Sequence, residues 1–381
     1  HSLGVELKIA SLKALVNIGV TTAEDLQELK DSDWGKLEEK GMVLVDVRKL
    51  QKKQADMGAA GPSEQAWQER IRAEKAITEG ERFKVCEGTV RRAGRSEPCV
   101  VKVAKSGAKA ILKHEMDMLN KVGNTVAVEV LGWDGNQLAL EKGVVTLEQW
   151  LMRPMDFDAR VWMCKQLVQV PKVMHDKHLV WGDLKPSNLV VIFRDAVLSV
   201  KAIDLEGTVK IGQHVTTFTS HYAAPELLQA DAKRESTKAC TELDAWSCGL
   251  TALQVMTGKH LFPAEEVYKE NMLSLHADTY VETAVDQIKK KSDAKLKKFF
   301  KVLRNEDGGL LQADQGKRSS VIEVLQQRQF FTDTTSTRTD WAAALGSIKK
   351  HVVNAEQTAA RIEGKVDAVQ VALAAMQRMD A

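Results

Sequence analysis

Apolar positions along the chain follow two rhythms, and the breaks between them divide it. From Leu3 to about Met57 the spacing is helical. Leu12, Leu15, Val16 and Ile18 share a face that ends at Gly19, Ala23, Leu26 and Leu29 follow a Thr22 cap, and Met42, Val43, Val45 and Leu50 lie on a longer last helix. Gly58-Ala59-Ala60-Gly61-Pro62 interrupts this pattern and reads as a linker, with Pro62 suited to the first turn of a new helix. Ser63 to Glu79 is rich in helix formers, so a helix stopped by Gly80 is predicted there.

The rhythm then shortens. Strands are predicted over Arg82–Val90 and Pro98–Ala104, turned at Arg92-Ala93-Gly94, and over Val126–Trp133 and Gln137–Glu141, turned at Asp134-Gly135-Asn136. A helix over Ala108–Val122 separates the pairs. Thr146 caps a helix through Leu151, and Arg160–His175 is amphipathic. Leu189–Ile192 and Leu198–Ile203 read as a buried hairpin, and Lys289–Arg304 as a helix with Leu296, Phe299, Phe300 and Leu303 on its apolar side. After the polar stretch 332–339, apolar or small residues from Trp341 to Met376 recur at alternating intervals of four and three, a heptad repeat of about five heptads. The predicted organisation is a helical domain over 1–57, linker and helix over 58–79, a mixed domain over 80–332 and a heptad-repeat helix over 340–379.

Composition adds exclusions. The 54 basic and 52 acidic residues of the 381 leave a net charge of +2, so no global charge calls for nucleic acid or an acidic membrane surface. Lys289–Arg304 holds eight basic residues, but their helical alternation with apolar ones reads as a solvated helix face and not a nucleic-acid patch. Cys86, Cys99, Cys164, Cys240 and Cys248 are scattered without a C-x-x-C pair, which fits a reduced intracellular setting, cytoplasmic or nuclear. No apolar run approaches the roughly 20 residues of a membrane span. The first residue is His1 and not methionine, as expected of a chain trimmed at its start, so a native targeting segment is not read from it.

The chemistry concentrates in Trp181-Gly182-Asp183-Leu184-Lys185-Pro186-Ser187-Asn188. On one short loop, Asp183 can accept a proton from an attacking hydroxyl, Lys185 can neutralise charge on a transferring phosphoryl group, and Asn188 can offer an oxygen to magnesium. The stretch resembles the catalytic loop of the protein kinases, H-R-D-L-K-P-x-N, with Trp181 and Gly182 in place of His and Arg. Further matches follow in order. Cys99-Val100-Val101-Lys102 resembles the V-A-I-K strand, and Glu115 the helix glutamate that pairs with its lysine. Asp204-Leu205-Glu206-Gly207 stands where Asp-Phe-Gly is usual. Thr219 to Glu226 fits T-x-x-Y-x-A-P-E, and Asp244 to Gly249 fits D-x-W-S-x-G. Arg318 corresponds to the basic residue that pairs with the A-P-E glutamate, here Glu226.

The resemblance covers residues 80–332. It implies an α+β, two-lobed protein kinase fold, with a small β-rich N-lobe and a mainly helical C-lobe. It also implies ATP and Mg2+ as cofactors and a protein substrate. Lys102 would bind the α- and β-phosphates, Glu141, Lys142 and Gly143 would form the hinge that holds adenine through backbone groups, and Asn188 and Asp204 would hold magnesium. Gly88 and Val90 are read as the end of the phosphate loop. In that register Phe83 and Val85 stand where the first two glycines belong. Glu206 replaces a glycine, and Gly182 removes the arginine that usually answers an activation-segment phosphate. Lys185 with Thr219 favours Ser and Thr acceptors over Tyr.

Two rival readings follow from these departures. A pseudokinase would use the fold as a scaffold or switch. A small-molecule phosphotransferase is suggested by Trp-Gly-Asp and Ile-Asp-Leu-Glu, which resemble the H-G-D and I-D-x-x patterns of the aminoglycoside and choline enzymes, but the A-P-E, D-x-W-S-x-G and Arg318 features oppose it. Residues 1–57 are similar in order to sterile-alpha-motif domains and would form an interaction module. The heptad helix would bring chains together as a homo-oligomer.

Overall fold

The computed structural model describes residues 70–327, apart from 93–94, 153–154, 156, 195–196 and 307, together with Leu37, Val47, Leu50 and Phe330. The chain divides into a unit ending at Arg70 and a second beginning at Ile71. In the first unit Leu37, Val47 and Leu50 are helical and buried. The remainder of the 1–57 reading, its sterile-alpha-motif resemblance and the 340–379 heptad helix lie outside the described residues.

The second unit begins with an antiparallel sheet of five strands in the order β1-β2-β3-β5-β4. Its members are β1 (Ile71–Glu79), β2 (Phe83–Arg92), β3 (Arg95–Ala104), β4 (Val130–Trp133) and β5 (Gln137–Glu141), with helix α1 (Lys109–Val122) between β3 and β4. Strand β1 corrects the helix expected through Glu79. Its Ala, Glu and Lys residues favour a helix, but its backbone groups bond to β2 from Ile71↔Val90 to Glu79↔Lys84, with bulges near Ala76. It is an edge strand whose side chains after Ile71 are exposed, so no alternation of apolar residues was present to announce it.

The β2–β3 ladder runs without a shift from Phe83↔Ala104 to Arg92↔Arg95 and sorts side chains by the two-residue period. Cys86, Gly88 and Val90 are buried with Cys99 and Val101, whereas Val85, Glu87, Val100 and Lys102 line a cleft. The strand expected over Val126–Trp133 is shorter than its apolar run. Val126 and Val128 bond instead to Ala202, which links the sheet to the following lobe.

That lobe is mainly helical. It contains α2 (Leu147–Leu151) after the short β6 (Val145–Thr146), α3 (Phe157–Asp176), β7 (Leu179–Val180), the β8 (Leu189–Arg194)–β9 (Val197–Ala202) hairpin, β10 (Val209–Lys210), α4 (Pro225–Ala232), α5 (Thr241–Thr257), α6 (Glu265–Leu273), α7 (Ala277–Lys290), α8 (Lys297–Leu303) and α9 (Val321–Gln327). Thr146 forms a reciprocal capping box with Gln149 at the start of α2. Helix α5 is buried from Leu243 through Leu253 and forms the centre of this core with α3. The single helix expected over Lys289–Arg304 is two. The Asp293 carboxylate takes the Lys295 N–H at 2.8 Å and starts a new turn, so α7 stops before it and α8 begins after it.

Candidate active site

A cleft of about 790 Å³ lies between the two lobes. Its roof is the β1–β2 turn, its back wall β3 and β5, and its floor the loop after β7 and the segment after β9. Asn188, Val190, Ile203, Asp204 and Glu206 face it from below.

Lys102 reaches into the cleft from β3, and its Nζ lies 2.7 Å from Glu115 Oε2 on α1 and 2.9 Å from Asp204 Oδ1. The sequence-predicted pairing is therefore formed, with Asp204 as a second partner. Burial pulls the Lys102 ammonium down, but the two carboxylates outweigh it and hold the group above its ordinary value. Glu115 is only 1 % exposed, and that burial, with Asp204 nearby, pushes its carboxyl up to about 7 despite Lys102. The Lys102 ammonium also sits 4.5 Å from the centre of the Phe83 ring, a cation–π contact.

Residues 181–188 are fastened from beneath by Asp244, which opens α5 and is fully buried. Its Oδ2 accepts the Trp181 N–H and its Oδ1 the Gly182 N–H, both at 2.8 Å, and His175 Nε2 lies 3.0 Å from Oδ2. Gly182 has φ +80°, a left-handed conformation that a side chain would strain. Trp181, at the histidine position of the kinase pattern, is fully buried.

The loop gathers three side chains on Asp183. Lys185 Nζ lies 2.7 Å from Asp183 Oδ2, Asn188 Nδ2 donates to the same oxygen at 2.9 Å, and Thr219 Oγ1 donates to Oδ1 at 2.7 Å. Lys185 also reaches Thr219 Oγ1 at 2.5 Å. Asn188 Nδ2 additionally donates to the Asp183 carbonyl at 3.0 Å, which leaves its amide oxygen as the atom able to meet a cation. Across the floor, Asp204 adopts φ +60° and keeps a partly exposed carboxylate. Two hard oxygen donors facing the cleft suit magnesium.

Glu141 and Lys142 line the cleft at the end of β5. The Glu141 side chain turns away to Lys201 on β9, 2.7 Å distant, and Lys142 pairs with Glu87 of β2 at 2.8 Å.

Gly88 and Val90 require correction, because they do not lie over the cleft. Both are buried within β2, where Gly88 pairs with Ala73 and Cys99. A Cβ on Gly88 would stand 2.2 Å from the Arg72 carbonyl oxygen, so this glycine serves close strand packing. The segment over the cleft is Thr78 to Val85, turning at Gly80-Glu81-Arg82. The spacing Thr78-x-Gly80-x-x-Phe83-x-Val85 matches Gly-x-Gly-x-x-Gly-x-Val with one glycine retained. That signal is present in the sequence, where Gly80 also reads as a helix stop.

Sequence reasoning also missed how Glu206 is used. It pairs with Arg82 of the turn at 2.6 Å, and burial, followed by the nearby Asp204, pushes its carboxyl above its ordinary value.

Away from the cleft, Arg318 forms the expected pair with Glu226 at 2.7 Å through Nη1 and at 3.0 Å through Nη2. It also donates to the Gln312 and Glu242 carbonyls and lies over the Trp246 ring.

The chain thus has a two-lobed α+β architecture with the cleft between its lobes. Residues 75–331, well over half of the chain, match the protein kinase domain, and the chain belongs to that family. It is similar to the serine/threonine-protein kinase MPS1 of Saccharomyces cerevisiae, 28% identical over 170 residues, which is 39% of this chain and 22% of that protein. It is also similar to human dual specificity tyrosine-phosphorylation-regulated kinase 4, 28% identical over 135 residues, 34% of this chain and 24% of the relative. The DYRK-family kinase pom1 of Schizosaccharomyces pombe is 28% identical over 142 residues, 37% of this chain and 12% of the relative. Each match thus spans less than a quarter of the curated relative. Among the described residues, no helix is long and apolar enough to cross a membrane.

Proposed function

We propose that the chain transfers the γ-phosphoryl group of ATP to serine or threonine hydroxyls of protein substrates. The observation that carries this reading is the set of three side chains on Asp183, with Lys102 and Asp204 facing the same cleft. Asp183 accepts the proton of the attacking hydroxyl, and Lys185 offsets the charge that develops on the phosphoryl oxygens. Lys102, held by Glu115, meets the α- and β-phosphates, and the backbone at Glu141 and Lys142 meets the adenine. Asn188 and Asp204 would hold Mg2+, which supplies charge neutralisation between the phosphates. Thr219, bridging Asp183 and Lys185, supports a Ser/Thr acceptor. Residues 1–57 and 340–379 are proposed as an interaction module and a self-association helix. Removal of 340–381 should reduce the molar mass seen by light scattering to that of one chain.

Labelled ATP with Mg2+ or Mn2+, alone and with generic protein substrates, tests the reaction. The wild type should incorporate label and Asp183→Asn should not, while nucleotide binding stays nearly unchanged.

One observation favours a second reading, a scaffold or switch without transfer. Phe83 stacks on Lys102, and Arg82 pairs with Glu206, so side chains stand where phosphate would approach. A folded wild-type chain that binds nucleotide yet transfers nothing with either metal ion would decide for it.

A further inference from the structure

The three carboxylates of Glu115, Asp204 and Glu206 offer oxygens that all lie within 4.8 Å of one another. Among the described residues, each carboxylate meets a side-chain cation through one oxygen. Glu115 Oε2 and Asp204 Oδ1 hold Lys102, and Glu206 Oε1 holds Arg82. The remaining Glu115 Oε1 and Glu206 Oε2 are buried and, among the described residues, accept no hydrogen bond. Both side chains are more than nine-tenths buried, at 1 % and 9 % exposure, so bulk water does not solvate these oxygens. Oxygens on opposite sides of one ion stand about 4.2 Å apart for Mg2+ and up to about 5 Å for larger hard cations, so carboxylates that offer oxygens within 4.8 Å of one another can share one ion.

We infer that Glu115, Asp204 and Glu206 form a binding site for one hard divalent cation, Mg2+ or Mn2+ in class, that fills without nucleotide. The ion takes Glu115 Oε1, the second oxygen of Asp204 and Glu206 Oε2, while Lys102 and Arg82 keep their present oxygens. The site shares Asp204 with the expected nucleotide-dependent pair but not Asn188. Glu206, the departure from Asp-Phe-Gly, is the residue that creates it. The site stands independently of phosphoryl transfer, since neither ATP nor turnover enters its test.

Mn2+ is titrated into the nucleotide-free full chain, and free Mn2+ is followed by electron paramagnetic resonance, with Mg2+ as competitor. The wild type should bind one ion that Mg2+ displaces. Glu206→Gln should weaken binding about tenfold or more, and Asn188→Ala should leave it within about twofold. Melting curves in chelator establish that each variant is folded. Arg82→Gln provides an arm that retains all three carboxylates, and it should bind Mn2+ at least as tightly as wild type. No uptake by the wild type at millimolar Mn2+, unchanged binding in Glu206→Gln, an equal loss in Asn188→Ala, or weaker binding in Arg82→Gln would each overturn the inference.

Discussion

Trp181 Nε1 donates a hydrogen bond to the backbone carbonyl of Asp204, 3.2 Å away. The residue in the histidine position of the kinase loop therefore ties that loop to the aspartate beneath the cleft. Trp181→Phe keeps an aromatic ring but leaves the Asp204 carbonyl short of its donor and a small void. A loss of about 1–3 kcal/mol is expected. Urea unfolding should show a lower midpoint with an unchanged slope. An unchanged midpoint would mean that the bond contributes nothing to the fold.

Arg318 and Glu226 join the first turn of α4 to the end of the lobe, and the Arg318 side chain is fully buried. Arg318→Ala leaves Glu226 and three carbonyls without their donor, which should cost about 3–5 kcal/mol. Arg318→Lys cannot reproduce the two-pronged contact and should recover only part of that loss. Chemical denaturation of the three chains side by side gives the order, and equal stabilities would contradict the role assigned to the pair.

Gly88 distinguishes packing from nucleotide contact. Gly88→Ala places a methyl against the Arg72 carbonyl and Val101, with an expected cost of about 1–3 kcal/mol from overpacking. The folded variant should bind ATP as the wild type does, because the residue lies away from the cleft. Calorimetric ATP titration checks this; a large affinity loss with intact stability would restore Gly88 to the phosphate loop.

The buried Glu115 carboxyl makes stability depend on pH. Its value rises from 4.5 to about 7 on folding, so across that window the folded chain holds a proton that the unfolded chain has lost. Stability from this group is therefore greatest below the lower value and declines as pH rises through the upper one. Glu115→Gln removes the titration. Wild type should lose ground relative to Glu115→Gln between pH 5 and pH 8, by up to about 3 kcal/mol. Melting temperatures of both chains at the two pH values measure it, and a constant difference would show that Glu115 does not titrate there.

Much of the site was legible because its chemistry is written at short range. Asp183, Lys185 and Asn188 sit on one loop, and their order resembles the catalytic loop of the protein kinases. Lys102 and Glu115 were legible as a lysine on a strand followed by a glutamate on a helix, two elements whose periodicities are plain. Where the chain carried no periodic apolar signal, local reading failed. Ile71–Glu79 has helix-favouring residues, yet pairing with β2 satisfies its backbone as a strand, and only that pairing fixes the turn at Gly80. The two-residue alternation of β2 was visible, but which glycine met the cleft depended on the register against β1 and β3. Glu206 illustrates the limit most directly. The sequence determined that a carboxylate replaces glycine two residues after Asp204, whereas its meeting with Arg82, 124 positions away, and with Glu115 is decided by the closure of two lobes on each other. Long-range electrostatics of this kind has no local pattern, because Coulomb interactions depend on separation in space and not along the chain.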